Sequence, residues 1–389
     1  MKKLLFVILS LGCGGAERSL INLFNELSPE EYSLDLLLFR KEGAFLRHLP
    51  AHVRLLDTPK DLARLYGPFG RAGRLAPVKL LGTLVSRIAD GRTTRGRMMF
   101  RWKRFYSKVI SPLPDRYDVA VAYLEGEATY YVCDFVNAGK KLVWVHNDYS
   151  KLGQRAEDDL PYFEKADAIV TVSAGCEAVL KRTFPTLESK ICMLENITSA
   201  DAVRHLADAP APAEYHADRF TIVSVGRLTK AKGFDMAIDA AALLKKRGVP
   251  FEWFILGQGA LRNALQKQIN ACGVADAVHL LGVRANPYPY IKHAQLLVQS
   301  SRFEGKSIVV DEAKILCTPV LLTEYSTARD QITDGQNGWI AAMNAEALAE
   351  NISRLMAAPE QLQAVRRAQA AEGRGNTAEV EKYKKLFNA

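Results

Sequence analysis

Paired cysteines, zinc-ligand spacings and long apolar runs are what this chain of 389 residues lacks. Its six cysteines, Cys13, Cys133, Cys176, Cys192, Cys272 and Cys317, form no CxxC and have no histidine nearby at zinc spacing. A disulfide framework and a structural zinc site are therefore not indicated, and the thiols read as free and mostly buried in a reducing compartment. No apolar run approaches the roughly 20 residues that cross a bilayer as a helix. Nor are the two halves a sequence repeat.

The start of the chain admits two readings. Met1-Lys2-Lys3 before Leu4 to Leu11 has the charge and apolar run of a signal peptide, and Cys13 after Gly12 hints at a lipoprotein cleavage site. The same residues also continue as one folding unit. Lys3 to Ser10 reads as a buried strand, Gly12-Cys13-Gly14-Gly15-Ala16-Glu17-Arg18 as a glycine-rich turn, and Leu20, Ile21, Leu23, Phe24 and Leu27 as a helix stripe. That continuity favours a cytoplasmic chain.

What is present is ordinary globular material, 48% hydrophobic and 24% charged. The length favours two domains. The balance of 52 Lys and Arg against 43 Asp and Glu, net +9, favours anionic partners: nucleic acid, phosphorylated small molecules or anionic lipid.

Strand candidates Ser33 to Phe39, His52 to Leu56, Tyr117 to Tyr123, Lys141 to His146, Asp167 to Val172 and Lys190 to Leu194 alternate with helical patterns, the signature of a parallel α/β sheet. Only 59–112 breaks the rhythm. There Lys60, Arg64, Arg71, Arg74, Lys79, Arg87, Arg92, Arg95, Arg97, Arg101, Lys103, Arg104 and Lys108 face Asp61 and Asp90 alone. Leu80, Leu81, Leu84, Met98, Met99, Phe100, Trp102, Phe105 and Tyr106 are interleaved. Such a mixture suits a helical face on an anionic membrane, or equally a solvated basic helix pair whose apolar stripe packs on its own domain.

A composition change at Asn196 to Arg219 marks a connection. The expected division is 1–198 with its basic insertion at 59–112, a linker at 199–218, a second domain at 219–374, and a C-terminal helix at 375–389 that returns to the first domain. In the second domain Phe220 to Val225, Phe251 to Leu256, Ala277 to Leu281, Ala294 to Gln299 and Pro319 to Thr323 read as strands.

Candidate site residues lie where these strands end. Ligands of open α/β sheets bind beyond the carboxyl ends of the strands. Arg227 and Lys232 sit in the loop after Phe220 to Val225, where two cations could neutralise a diphosphate. Leu256-Gly257-Gln258-Gly259 is a glycine turn that admits a nucleotide. Asn286, Pro287 and Tyr288 follow the third strand, with irregular backbone that could meet a base edge. After the fourth strand comes Ser301-Arg302-Phe303-Glu304-Gly305-Lys306-Ser307-Ile308, with Glu304 at the strand end and Glu312 about a turn into the next helix. Gly305 permits close backbone approach, and the first amides after Ser307 point out of the positive helix end. Taken singly, each is equally a surface charge, a turn or a solvated glutamate.

Five segments in this order, GGAER, GRLTKAKGF, LGQG, LGVRANPYPYI and EGKSIVVDEA, resemble the retaining glycosyltransferases of family 4. The resemblance runs over nearly the whole chain, is weakest over 59–112, and is most specific in the E-x7-E spacing of Glu304 and Glu312. It implies the GT-B fold, two facing Rossmann-like domains with parallel sheets and an interdomain cleft. It implies that Arg227 and Lys232 hold the donor diphosphate, aided by the amides of Gly305, Lys306 and Ser307 at the start of the helix at Ile308. It also implies that Glu304 binds donor-sugar hydroxyls, Glu312 binds the ribose, and Gly14 and Gly15 meet the phosphates. Val143-Trp144-Val145-His146-Asn147-Asp148 resembles the family segment whose histidine reaches the donor sugar, although a lone histidine at a strand end is more often structural.

No metal and no cofactor is expected, because the two cations replace a divalent ion and no DxD follows a suitable strand. The partners implied are a nucleotide-sugar, most often of UDP, and a glycan or polyprenyl-linked acceptor, with no nucleic acid. Two departures from the family pattern stand out: Lys306-Ser307 after the EG, and Glu195-Asn196-Ile197 where many members have Asn-Pro. The alternatives are a nucleotide-sugar epimerase of the same architecture, for which only His146 offers acid-base chemistry, and a non-catalytic nucleotide- or nucleic-acid-binding protein.

Overall fold

The computed structural model describes residues 1–12, 14–89, 93–372 and 375–389. Cys13, Asp90 and Arg92, and the boundary drawn at Arg374, lie outside them. Two compact units emerge. One comprises Met1–Gly12, Ala16–Asn196 and Ala378–Ala389, the other Ile197–Thr377 together with Gly14 and Gly15.

The first unit is built on seven parallel strands: β1 (Lys2–Ile8), β2 (Tyr32–Leu38), β3 (Val53–Leu55), β4 (Arg116–Ala122), β5 (Asn137–Val145), β6 (Ala168–Thr171) and β7 (Ile191–Met193). Their order is β3-β2-β1-β4-β5-β6-β7. Connections from β1 go one way to β2 and, later in the chain, return on its other side to β4. The point between β1 and β4 is thus where the winding reverses, and there a crevice opens at the carboxyl ends. The central strands are apolar on both faces, as a sheet covered by helices on both sides requires. Leu4, Leu5, Phe6 and Val7 of β1 are fully buried.

The second unit repeats the principle with β8 (Phe220–Val225), β9 (Phe251–Leu256), β10 (Val278–Gly282), β11 (Leu296–Gln299), β12 (Val320–Thr323) and β13 (Trp339–Ala341), in the order β10-β9-β8-β11-β12-β13. Here the reversal lies between β8 and β11. Strand β13 was not expected from the sequence; only three residues long, it pairs with β12 at the sheet edge.

The stretch 199–218, read above as a linker, contains the helix Ala200–Ala207, whose Ala200, Val203 and Ala207 are buried in the second unit's core. At the other end, the Val380–Asn388 helix packs in the first unit: Tyr383 stacks on Trp144 with ring centroids 5.8 Å apart, and Lys2 Nζ donates to the Phe387 carbonyl. The region 59–112 is helical, with Lys60–Tyr66, Ala76–Ala89 and Thr94–Arg104. For Met99, Trp102 and Tyr106, of the two readings given above, packing on their own domain holds: all three belong to the first unit's core. Met99 and Trp102 occupy the inner side of the Thr94–Arg104 helix and Tyr106 the turn after it, where a bulky apolar side chain gains more by packing than by exposure. The five described cysteines form no disulfide, with Cys133 and Cys176 buried and Cys192, Cys272 and Cys317 half-buried.

One glycine shows how tightly the second unit's loops are drawn together. Gly257 has φ of +140°, and a Cβ there would lie 1.9 Å from the carbonyl oxygen of Gly226. Gly248 shares a positive φ, +70°, but has open space around it. Gly257→Ala should therefore cost about 3 kcal/mol or more, and Gly248→Ala about 1 kcal/mol. Urea unfolding of the two variants tests this, and equal losses would mean that the close approach at Gly257 is not enforced.

Candidate active site

In the second unit the loops that follow β8 and β11 are neighbours because the strands are paired. The β8 loop passes through a turn at Lys230–Lys232 and then Gly233, at φ +60°, into the Phe234–Lys246 helix. Gly233 lies against the β11 loop so closely that a Cβ would come 2.1 Å from the Ser300 carbonyl oxygen. Backbone and side chain stitch the two loops: Arg302 N donates to Ala231 O at 2.7 Å, and Ser300 Oγ donates to Lys232 O at 2.9 Å. Arg302 also grips Asp235 with two parallel bonds of 2.8 and 2.7 Å. The Arg302 bonds hold the Asp235 carboxyl below the usual carboxylate range.

This packing brings two predicted residues together. Lys232 Nζ lies 2.6 Å from Glu304 Oε1. The same oxygen accepts from Gln299 Nε2 at 2.8 Å and from Ser301 Oγ. All three bonds converge on Oε1. Glu304 Oε2 carries no hydrogen bond among the described residues, so one oxygen anchors the carboxylate and the other is left as an acceptor. Arg227, in the same β8 loop, is exposed, and its guanidinium has no acidic partner among the described residues.

The segment after Glu304 differs in part from expectation. Ser307 N–H, counted above among the anion-binding amides, donates to Gln331 Oε1 at 2.9 Å, while Gln331 Nε2 donates to Ser307 O at 2.8 Å. Gln331 thus occupies that amide, a partner that no local pattern announces. Lys306 is nearly buried, with its ammonium 3.7 Å from Asp311, and Ile308 is buried at the start of the helix Ile308–Ile315. Ser307 Oγ and Tyr325 Oη are buried without a hydrogen-bond partner. Buried polar atoms are rarely left so, and each such atom asks for an explanation such as a ligand. The Tyr325 hydroxyl is held well above its ordinary pKa by burial and by the charges of Glu304 and Asp311.

Glu312 is buried and accepts from Tyr288 Oη at 2.9 Å. Two more predicted residues therefore meet. Asn286 has its amide engaged by the chain: Oδ1 accepts from Tyr288 N at 3.1 Å, and Nδ2 donates to Leu206 O at 2.6 Å. Pro287 is buried beside it. Gly257 turns the chain after β9, where its N–H donates to Gly282 O at 2.8 Å. Gly14 is buried, and Gly15 opens the helix Gly15–Glu26.

In the first unit His146 directly follows β5. Its backbone N–H donates to Glu125 Oε2 at 3.1 Å, and its ring lies 4.9 Å from that of Tyr123. Neither ring nitrogen finds a hydrogen-bond partner although both are buried. Burial lowers the imidazole pKa to about 4, with the Glu125 charge pulling the other way. At neutral pH the ring is uncharged, one nitrogen donating and one accepting. Glu125, which the sequence reading missed, also accepts from Arg95 Nη2 at 2.7 Å and Asn147 Nδ2 at 2.9 Å. Burial would raise its pKa, but Arg95, His146 and the backbone hydrogen bonds of Glu125 and His146 together more than offset this, and the carboxyl is held below its usual range. Among the described residues no three of His, Cys, Asp and Glu gather as a metal-binding group.

Comparison with known proteins adds a family. Residues 210–372 match the sequence model of the family described as "Glycosyl transferases group 1". An uncharacterized glycosyltransferase of Methanocaldococcus jannaschii is 31% identical over 209 residues, 50% of this chain and 51% of the relative. The Campylobacter jejuni N-acetylgalactosamine-N,N'-diacetylbacillosaminyl-diphospho-undecaprenol 4-alpha-N-acetylgalactosaminyltransferase is 30% identical over 206 residues, 53% of this chain and 54% of that protein. The chain thus spans about half the length of the curated relatives it matches. Among solved structures, Anabaena HepE in complex with UDP and glucose superposes over all of both chains with a TM-score of 0.70 at 16% identity. At that identity the likeness is one of fold, the GT-B class with its parallel sheets of seven and six strands.

The buried neutral histidine has a consequence in solution. An imidazole of ordinary pKa near 6.5 in the unfolded chain and about 4 in the folded one gives stability that is full above pH 6.5 and is lost as pH falls towards 4. Between pH 7 and pH 4.5 the chain should lose about 2 kcal/mol more than its His146→Phe variant. Urea unfolding at the two pH values measures it, and parallel losses would show that the imidazole is not held neutral.

Proposed function

We propose that the chain is a retaining glycosyltransferase, because its residues 210–372 match the model of the group 1 glycosyltransferases. It moves a hexose or N-acetylhexosamine from a nucleotide-sugar, a UDP-sugar, to a glycan or lipid-linked acceptor in the synthesis of cell-surface polysaccharide, on the cytoplasmic side. The observation that carries this reading is the arrangement around Glu304: Oε1 saturated by Lys232, Gln299 and Ser301, Oε2 left to accept, and the open guanidinium of Arg227 in the loop that supplies Lys232.

In the reaction the bond between the anomeric carbon and the leaving diphosphate breaks, and a bond to the acceptor hydroxyl forms on the same face. The acceptor proton passes to the departing phosphate, so no enzyme nucleophile is needed. Arg227 and Lys232 stabilise the charge that grows on that phosphate, which is where fixed cations lower a barrier most. Glu304 Oε2 orients a donor-sugar hydroxyl. Glu312, positioned by Tyr288, takes the ribose hydroxyls. The buried hydroxyls of Ser307 and Tyr325 supply further polar contacts for the donor.

Two experiments bear on the assignment. UDP at about 100 times its dissociation constant should raise stability by roughly 2.7 kcal/mol, read as a shift in melting temperature, and Arg227→Ala should abolish it. If UDP, GDP, ADP and CMP all leave the melting curve unmoved, the donor site is misassigned. Turnover with a UDP-sugar should fall by about 10²-fold or more in Lys232→Met and in Glu304→Gln, with the UDP shift kept in the second. A Glu304→Gln enzyme of unchanged rate would remove that residue from catalysis.

A further inference from the structure

The helix Ala76–Ala89 is built inside out. The two residues it buries fully are small, Gly82 and Ser86, and only Val78 of its larger apolar residues packs on the first unit's core; a Cβ on Gly82 would sit 3.1 Å from Arg101 Cγ and 3.5 Å from Phe105 Cβ. Its largest apolar residues point outwards. Leu80, Leu81, Leu84 and Ile88 are 47%, 52%, 47% and 87% exposed. With Pro77 they fall at i, i+3, i+4, i+7 and i+11, a stripe about 100° wide of the kind that normally faces a core. Phe69, 51% exposed, has its ring 5.7 Å from Lys79 Nζ on the same helix. Among the described residues, nine large apolar side chains are exposed, and five of them lie in this one short stretch. Clustering of that kind marks an interaction surface.

The charges of this basic segment say what covers it. Arg95, Arg101 and Lys103 of the neighbouring helix are spent on Glu125, Glu127 and Asp158, acids of the first unit outside this segment. Arg71, Arg87, Arg104 and Lys108 are exposed and have no acidic partner among the described residues. A second copy of the chain placed face to face would bring these cations against their equivalents, a repulsion that disfavours pairing. A surface of anionic head groups over acyl chains meets both demands at once.

We propose that the outer face of the Ala76–Ala89 helix docks in the interfacial layer of an anionic bilayer. Leu80, Leu81, Leu84 and Ile88 enter the acyl boundary, and Arg71 and Arg87 meet lipid phosphates. The assignment concerns the first unit alone and does not depend on the glycosyl-transfer reading, although a lipid-linked acceptor would be found at such a surface.

The test is sedimentation of the full chain with phosphatidylcholine vesicles, with and without about a third phosphatidylglycerol. The anionic vesicles should carry down roughly tenfold more protein, and Leu81→Asp with Leu84→Asp should reduce that by roughly tenfold or more. Arg87→Glu should weaken binding less, with a shallower dependence on salt. Both side chains in the double variant are exposed, so its melting temperature and its response to UDP should match those of the parent. Equal binding of parent and double variant, or equal binding to both vesicles, would overturn the proposal. So would a double variant that turns a dimer into a monomer in sedimentation velocity while still binding vesicles, because the face would then belong to a second copy. Loss of any UDP response with vesicle binding intact would instead sink the glycosyl-transfer reading and leave the docking face standing.

Discussion

A carboxylate drawn into the end of a parallel sheet is tolerable only if its oxygens are supplied with donors, since an isolated buried charge costs several kcal/mol. At Glu304 that demand is met on one oxygen by a lysine from the adjoining loop, by the last residue of its own strand and by a serine two residues further on. The lysine is within reach only because β8 and β11 are neighbours, and they are neighbours because the winding of the sheet reverses there. Gly233 then lets the β8 loop pass the Ser300 carbonyl at a distance that no side chain would permit. One ion pair therefore depends on sheet order, strand register and a left-handed glycine. In return it fixes two loops whose remaining polar groups, Arg227 and Glu304 Oε2, stay unspent.

The first unit uses the same physics at its own reversal point. Glu125 follows β4, the partner of β1, and is buried with Arg95, Asn147 and the backbone of His146 as its donors. Arg95 belongs to the basic helical region and continues through Gln154 to Asp159, which also accepts from the hydroxyls of Tyr130 and Tyr149. The Thr94–Arg104 helix is thus held by a connected polar network, as well as by the burial of Met99 and Trp102. A network satisfied in this way specifies one arrangement, where a wholly apolar contact would tolerate several. The exception inside it is the His146 ring, neutral and packed on Tyr123 with neither nitrogen hydrogen-bonded, and that contrast gives the orphan its meaning.

Much of this was legible in the amino-acid order. Parallel strands buried on both faces leave apolar runs bounded by glycine and polar turns, so β1 to β12 announce themselves, and Lys232, Glu304, Tyr288 and Glu312, near the strand ends, could be named before their contacts were seen. What escaped lacks a local signal. Trp339–Ala341 is too short for a period to develop. Gln331 and Glu125 act across 24 and 21 residues of sequence, on Ser307 and on His146, and a polar residue does not advertise a distant partner. The Ser307 amide looked open because helix-end logic counts only bonds within the helix.

The basic region shows the limit most clearly, because composition cannot tell which side of a helix faces in. Leu84 and Trp102 carry the same apolar label, yet one is 47% exposed and the other wholly buried. The difference is set by what lies opposite. Gly82 leaves room for Arg101 and Phe105 to approach the Ala76–Ala89 helix, and Lys79 donates to the carbonyl oxygens of Arg64 and Gly67, locking the helix about its axis. With its small residues clamped inwards, the helix has no rotation available that would hide its leucines. Their exposure is therefore a property of the packing beneath them, and it persists in water for as long as that packing does.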